Sequence, residues 1–353
     1  MLFIYYRQAF YPTYDTVKAV GERIIGLKEA GEGGSSASCS PHRRIDVKEE
    51  KETLEDNLRV NYKMFKMLSN ESEEILPFEM DRIPEFVLRK CEVELTETPE
   101  KKLRAVQEVR ELLRQNWETS DIDFHDDFIV QFLRRNKYDV RRSCKNIQNF
   151  VVLRKEQSEM FRNIEDEYFS SKSSTEFIRL LPKRCPEGCA ITLFQLGKWD
   201  PNELAFVDVK RLMAMCFVQL LRDPMTQISG VKAIFDFQGT SFQHLRYVTL
   251  ENLHLFYNSA FNCIPCRYKR AHIVNESLVL TPVWAILKQF LSEKIKSRVH
   301  FHSNMSDLFE FFPRSVLPAE YGGDLPDADA KDWLRRANME HGSNSVGGQP
   351  NFY

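Results

Sequence analysis

Between Gly188 and His302 the chain alternates apolar runs too short to be helices with longer stretches whose apolar residues recur at helical spacing, and this alternation limits the fold more than anything else in the sequence. Cys189 to Leu196, Val231 to Phe237, Tyr268 to Asn275 and Val299 to His302 read as buried strands. Between them, Val209, Leu212, Met213, Cys216, Phe217 and Leu220 form one helical stripe, and Leu253, Phe256, Tyr257, Ala260 and Phe261 form a second. A third helix is expected over Ser277 to Lys296. Strands alternating with helices predict an α/β domain on a largely parallel sheet. Upstream, Leu103, Val106, Val109 and Leu113, then Phe128, Phe132 and Leu133, then Val140, Cys144, Ile147, Val151 and Val152 predict a small antiparallel helical unit from residue 99 to about 165.

Most familiar α/β chemistries lack their parts. No strand is followed by G-x-G-x-x-G or G-x-x-x-x-G-K-[ST], and there is no G-x-S-x-G or H-E-x-x-H. Two metal arrangements are open on spacing: thiolates from Cys185-x3-Cys189 with Cys263-x2-Cys266, and imidazoles from His300 and His302 with His272. Against both, the cysteines fall where small apolar side chains are expected, and no acidic ligand completes the histidines. Eight cysteines placed in this way read as buried thiols of a reducing compartment.

The chain carries 49 Lys+Arg against 51 Asp+Glu, so nothing global favours nucleic acid and electrostatic function must come from clusters. Residues 46–100 hold 16 acidic and 8 basic side chains, a net of -8. From Val130 to Lys155 eight basic residues face one acidic, and from Cys263 to His300 seven face two. The least charged stretch, Leu278 to Leu291, is shorter than the ~20 residues a membrane span needs, so no integral membrane protein is expected. Arg7 interrupts the apolar opening, so no signal peptide is read there. Gly31 to Ser40 reads as a linker, and helical patterning around Leu54 to Leu68 is weak. Thirteen of the 26 phenylalanines lie between Gly188 and Gly323, and the helix over Ser277 to Lys296 is apolar nearly all round, so it is either a core helix or a cover over something greasy.

DDFIVQFLRRNKYD, GCAITLFQLGKWDP, GVKAIFDFQG and IPCRYKRAHIVNE, with FLSEKIKSRVHFH and LPAEYGG following in order, resemble the CRAL-TRIO lipid-binding family, in the branch of the alpha-tocopherol transfer proteins, clavesins and retinaldehyde-binding proteins. The resemblance covers roughly residues 96 to 325. It implies an N-terminal helical unit (96–165), then a mixed, largely parallel sheet with flanking helices enclosing a hydrophobic pocket (175–325), between an unassigned extension (1–95) and a tail (326–353). The chain departs from the family pattern at Ser277, Ser303 and Asn136, the last of which puts a basic contact in doubt.

The expected function is an intracellular carrier, with no catalytic residue and no cofactor. Its partners would be one small hydrophobic lipid (a tocopherol, retinoid or phospholipid) and the phosphoinositide-containing surface of endosomal or plasma membranes; no nucleic acid partner is expected, and the carrier is read as a monomer. A phosphoinositide-sensing regulator and an α/β hydrolase or metalloenzyme are the alternatives. Leu193, Met213, Phe217, Phe235, Phe242, Phe256, Ala260, Val283 and Leu287 are expected to line the pocket, with Leu280 and Trp284 on the gate helix. Arg267 and Lys269, two apart on a strand, and Lys294 and Arg298, four apart on a helix, would form two cationic pairs for the headgroup. The resemblance implies the same role for these four.

Overall fold

The computed structural model describes residues 83–171, 173–277, 280–326 and 330–343. The linker at Gly31 to Ser40 and the weak helix at Leu54 to Leu68 lie outside them. In chain order the helices and strands are α1 (Glu85–Leu95), α2 (Pro99–Arg114), α3 (Asp126–Arg135), α4 (Val140–Glu156), α5 (Asp166–Ser171), β1 (Ile178–Leu180), β2 (Ala190–Gln195), α6 (Phe206–Leu220), α7 (Pro224–Ser229) and β3 (Val231–Asp236). There follow α8 (Phe242–Leu245), α9 (Leu250–Asn258), β4 (Tyr268–Val274), α10 (Leu280–Phe290), α11 (Glu293–Lys296), β5 (Val299–Phe301) and α12 (Ala330–Ser343).

Helices α2 and α4 begin where short polar side chains hold free backbone amides. Thr98 accepts from Lys101 N at 3.2 Å with Pro99 in the first turn, and Asp139 accepts from Arg142 N at 3.0 Å. Helix α3 carries Asp126 and Asp127 in its first turn and Arg134 and Arg135 in its last, matching the helix dipole at both ends.

The five strands lie in the order β1-β2-β3-β4-β5, with β1 antiparallel to β2 and the other pairs parallel. The three parallel crossovers all step in one direction, and crossovers of one hand stack their helices on one face. Strand alternation divides the side chains accordingly. Ala190, Phe194, Val231 and Ala233 join Leu212, Met215, Phe217 and Leu220 of α6 in the larger core. Ile191, Leu193 and Ile234 join Leu308, Phe312, Val316, Leu317 and Tyr321 in a second core on the opposite face.

The C-terminal LPAEYGG run closes that second face. Tyr321 Oη donates to Asp236 Oδ2 at 2.6 Å and accepts from Gln195 Nε2 at 3.0 Å, bolting the run to the ends of β2 and β3. Gly323 sits where a Cβ would stand 2.0 Å from the Leu317 carbonyl oxygen, so no other residue fits without moving backbone.

Three expectations change. Strand β1 was not anticipated, because three residues are too few to show a period. The helix expected over Ser277 to Lys296 is two helices: Ser292 takes an extended conformation (φ -65°, ψ 155°) and starts α11 as its N-cap. Leu278 and Val279, assigned to that helix, lie outside the described residues. Asn136 turns inward, donating to Asn146 Oδ1 at 2.9 Å and to Phe132 O at 3.1 Å, so it organises the α3–α4 turn.

Arg134, ion-paired with Glu97 inside the helical unit, is one of the side chains that tie that unit to the α/β layer. Arg134 donates to Glu97 through Nε at 2.9 Å and Nη2 at 2.8 Å, and through Nη1 to Gln227 Oε1 of α7 at 2.6 Å. Burial alone would raise the Glu97 carboxyl, but the Arg134 guanidinium outweighs it and pulls it down to about 2. A depressed carboxylate stabilises the fold fully above its ordinary value, near 4.5, and this contribution is lost as pH falls toward 2. Glu97→Gln should therefore cost about 3–5 kcal/mol in urea denaturation at pH 7, and the gap between variant and parent should close between pH 4.5 and 2.

Candidate functional site

In-register pairing places Phe194, Phe235, Ile273 and Phe301 side by side across β2, β3, β4 and β5, all on the helix-covered face. Phe194 and Phe235 stack at 4.8 Å, Phe194 lies 6.4 Å from Phe217 of α6, and Phe301 meets Trp284 of α10 edge-on at 5.1 Å. Phe194 and Ile273 are buried, at 1% and 8% exposure, and Phe235 is half-buried, whereas Phe301 at the sheet edge is 38% exposed. Phe256 of α9 approaches Phe206 at 6.1 Å, while Phe261, in the π-helical turn after α9, and Phe217 both lie edge-on to Tyr268.

The wall over β4 and β5 is apolar yet incompletely covered. Leu255, Phe256 and Tyr257 of α9, with Ala260 and Phe261 after it, are half-buried, and so are Val283, Trp284, Ala285, Ile286 and Leu287 of α10. Among the described residues no element packs on α10 as closely as α2, α3 and α4 pack on one another. Leu280 is the buried exception, at the end where its amide bonds the Ser277 carbonyl at 2.9 Å.

Of the nine residues expected to line a pocket, Met213, Phe217, Phe235, Phe256, Ala260, Val283 and Leu287 belong to elements on this face. Leu193 does not join them. One residue from Phe194 along β2, it points through the sheet into the second core. Phe242 does not join them either: it is 78% exposed on the one-turn helix α8, whose His244 turns inward to the Trp199 carbonyl at 3.0 Å. Phe194, Ile273 and Phe301 were missed, because the strand register that sets them beside Phe235 is fixed by inter-strand pairing and not by alternation within one strand.

The cations divide differently from the expectation. Arg267 and Lys269 do converge, but on Glu94 of α1, at 2.9 and 3.2 Å. Lys90 holds the other Glu94 oxygen at 3.8 Å. Glu94 is consequently lowered: burial opposes the shift, and Lys269 and Lys90 outweigh it. Arg298 lies beyond the end of α11, so it does not share a helical face with Lys294; its Nη1 donates to Tyr268 O at 2.7 Å. Lys294 is exposed. A cleft of about 460 Å³ opens beside these groups, lined by α1 (Phe86, Arg89, Lys90) and by Glu187, Cys189, Lys232 and Lys269; it contains none of the expected pocket residues.

The histidines cluster on the opposite face from the phenylalanine row. His272 Nδ1 and His302 Nε2 are 2.9 Å apart, and His272 stacks on His300 at 5.4 Å against Phe311 and Phe312. Among the described residues no group of three His, Cys, Asp or Glu side chains is arranged to hold a metal ion.

The fold is thus an α/β domain with a mixed, mostly parallel sheet, one face helix-covered and one closed by the C-terminal run, behind a helical unit. Residues 176–323 of the chain match the CRAL/TRIO domain family. The human alpha-tocopherol transfer protein-like protein is 29% identical over 252 residues, covering 71% of this chain and 74% of that protein. Mouse clavesin-1 is 27% identical over 70% of this chain and 71% of its own, and rat clavesin-2 is 25% identical over 70% and 77%. No described helix is long and apolar enough to cross a membrane.

Burial, followed by the neighbouring histidines, lowers His272 to about 2. A depressed imidazole stabilises the fold fully above its ordinary value near 6.5, and this contribution is lost as pH falls below it. Nitrogen-15 NMR of the imidazoles should show His272 neutral at pH 5 while exposed histidines protonate, and His272→Asn should flatten the stability loss below pH 6.5.

Proposed function

We propose that this chain binds one small hydrophobic lipid between the Phe194–Phe235–Ile273–Phe301 row and helices α6, α9 and α10, and carries it between membranes without catalysing a reaction. The carrying observation is the half-buried apolar wall on α9 and α10, which meets the sheet row where Trp284 lies edge-on to Phe301 at 5.1 Å. Apolar surface in that position gains about 25 cal/mol per Å² when a ligand covers it. The relatives named for tocopherol transfer support a ligand of that kind.

Helix α10 serves as the gate, with Leu280 at its fixed end and Trp284 on its moving body. A helix this apolar swings out at low cost only where acyl chains receive it, so opening belongs at a membrane. Lys294 and Arg298, beside the gate, provide the first contact with phosphoinositide headgroups, and Arg267 and Lys269 add to it once Glu94 releases them. The phosphoinositide-sensing alternative uses the same surfaces without net transport.

Transfer of a fluorescent tocopherol between vesicles tests this reading. Phe235→Asp should lower lipid retention by about tenfold or more, because a buried carboxylate in the cavity is strongly unfavourable. Leu193→Ala should instead cost about 2–5 kcal/mol of stability with retention unchanged. Folded Phe235→Asp that still carries ligand would show the pocket to be elsewhere; retention without transfer would favour the sensor. Glu94→Gln should strengthen binding to phosphoinositide vesicles by about tenfold, since each freed cation contributes about 1 kcal/mol at an anionic surface.

A further inference from the structure

Cys185 and Cys189 flank the three-residue turn Pro186-Glu187-Gly188. The Cys185 amide donates to the Cys189 carbonyl at 3.1 Å and the Gly188 amide to the Cys185 carbonyl at 2.8 Å, so the two cysteines stand opposite each other. One backbone bond across a three-residue turn holds the two Cα atoms to roughly 5–6 Å, within the range a disulfide spans. The turn is held from both sides. Arg184 Nη1 donates to Gly188 O at 3.1 Å, and Lys90 Nζ donates to Glu187 O at 2.9 Å. Gly188 takes φ +79°, with Met225 and Ser229 filling the space a Cβ would need, so the turn requires glycine there.

Of the two thiols only Cys189 borders the 460 Å³ cleft, next to Lys232 and Glu187, which pair at 2.8 Å. We propose that Cys185 and Cys189 are an oxidisable dithiol, in which Cys189 reduces a hydroperoxide entering the cleft and Cys185 closes the disulfide.

The Cys189 sulfur attacks one peroxide oxygen and the O–O bond breaks. The departing hydroxide takes up the Cys189 proton, held until then toward the Ser229 carbonyl at 3.2 Å, and leaves as water. Cys185 then attacks the sulfur of the resulting sulfenic acid. The S–O bond breaks, and hydroxide leaves with the Cys185 proton as a second water. One peroxide is reduced by two electrons, and two thiols become one disulfide that glutathione can reopen by exchange.

The division of labour agrees with the surroundings. The Cys185 hydrogen bond lowers Cys189 despite its burial, with Lys232 adding to the effect, whereas burial raises Cys185. Burial pushes Cys91, Cys216, Cys263 and Cys266 up to about 12, which makes them internal controls.

The test treats the folded full chain with hydrogen peroxide, blocks remaining thiols with N-ethylmaleimide, and maps tryptic peptides by mass spectrometry. Cys185 and Cys189 fall on one tryptic peptide, ending at Lys198, with no Lys or Arg between them. That peptide should lose two hydrogens and resist alkylation before any other cysteine reacts. In Cys185→Ser, dimedone should label Cys189 as the trapped sulfenic acid. Wild-type mapping decides the matter even if the variant fails to fold. Oxidation appearing first at another cysteine, or a peptide that stays fully alkylated, would overturn the proposal.

Discussion

Strands β2 and β3 are buried on both faces, and the rest of the architecture follows from covering them twice. Their alternating side chains supply two separate cores, so one layer of cover would leave either Phe194 and Ala233 or Leu193 and Ile234 in water. The crossover helices provide the first layer. The second comes from the 3₁₀ turns after β5, which are too short to hold themselves and depend on the Tyr321, Asp236 and Gln195 bonds for their position. The terminal glycines belong to the same constraint, because the run returns past Leu317 too closely for a side chain at Gly323.

Cover is unequal along the sheet, and the proposed binding wall lies where it thins. Toward β2 the helical unit and α6 pack tightly, and Arg134 is sealed between Glu97 and Gln227. Toward β5, Phe301 is partly open and α10 lies lightly over it through Trp284. The domain thus has one tightly packed end and one loosely covered apolar end, the contrast on which the proposed carrier rests. Arg267, Lys269 and Arg298 lie at the starts of β4 and β5, outside the phenylalanine row.

Strands and helices were legible because their periods are long enough to count, and the order of the motifs carried the CRAL/TRIO resemblance. Parity was harder. Leu193 and Phe194 are equally apolar neighbours, and only the pairing of Phe194 with Phe235 decides which one faces the helices. The break at Ser292 was hidden by apolar residues on its N-terminal side, where periodicity outweighed a single capping residue. Charge counting found the basic cluster but not its partner, since Glu94 lies 173 residues from Arg267 in sequence and meets it only through the fold. Likewise, Phe242 has the right composition for a pocket, but it sits on a one-turn helix whose inward contacts are taken by His244.

Native mass spectrometry of the chain purified from host cells bears most directly on the claim that the wall on α9 and α10 encloses a ligand. The intact protein should carry one lipid per chain, released on denaturation as a single hydrophobic species, and Phe235→Asp should emerge folded and empty. A folded wild-type chain that is empty after exposure to lipid vesicles, with the same mass as its denatured form, would contradict the account.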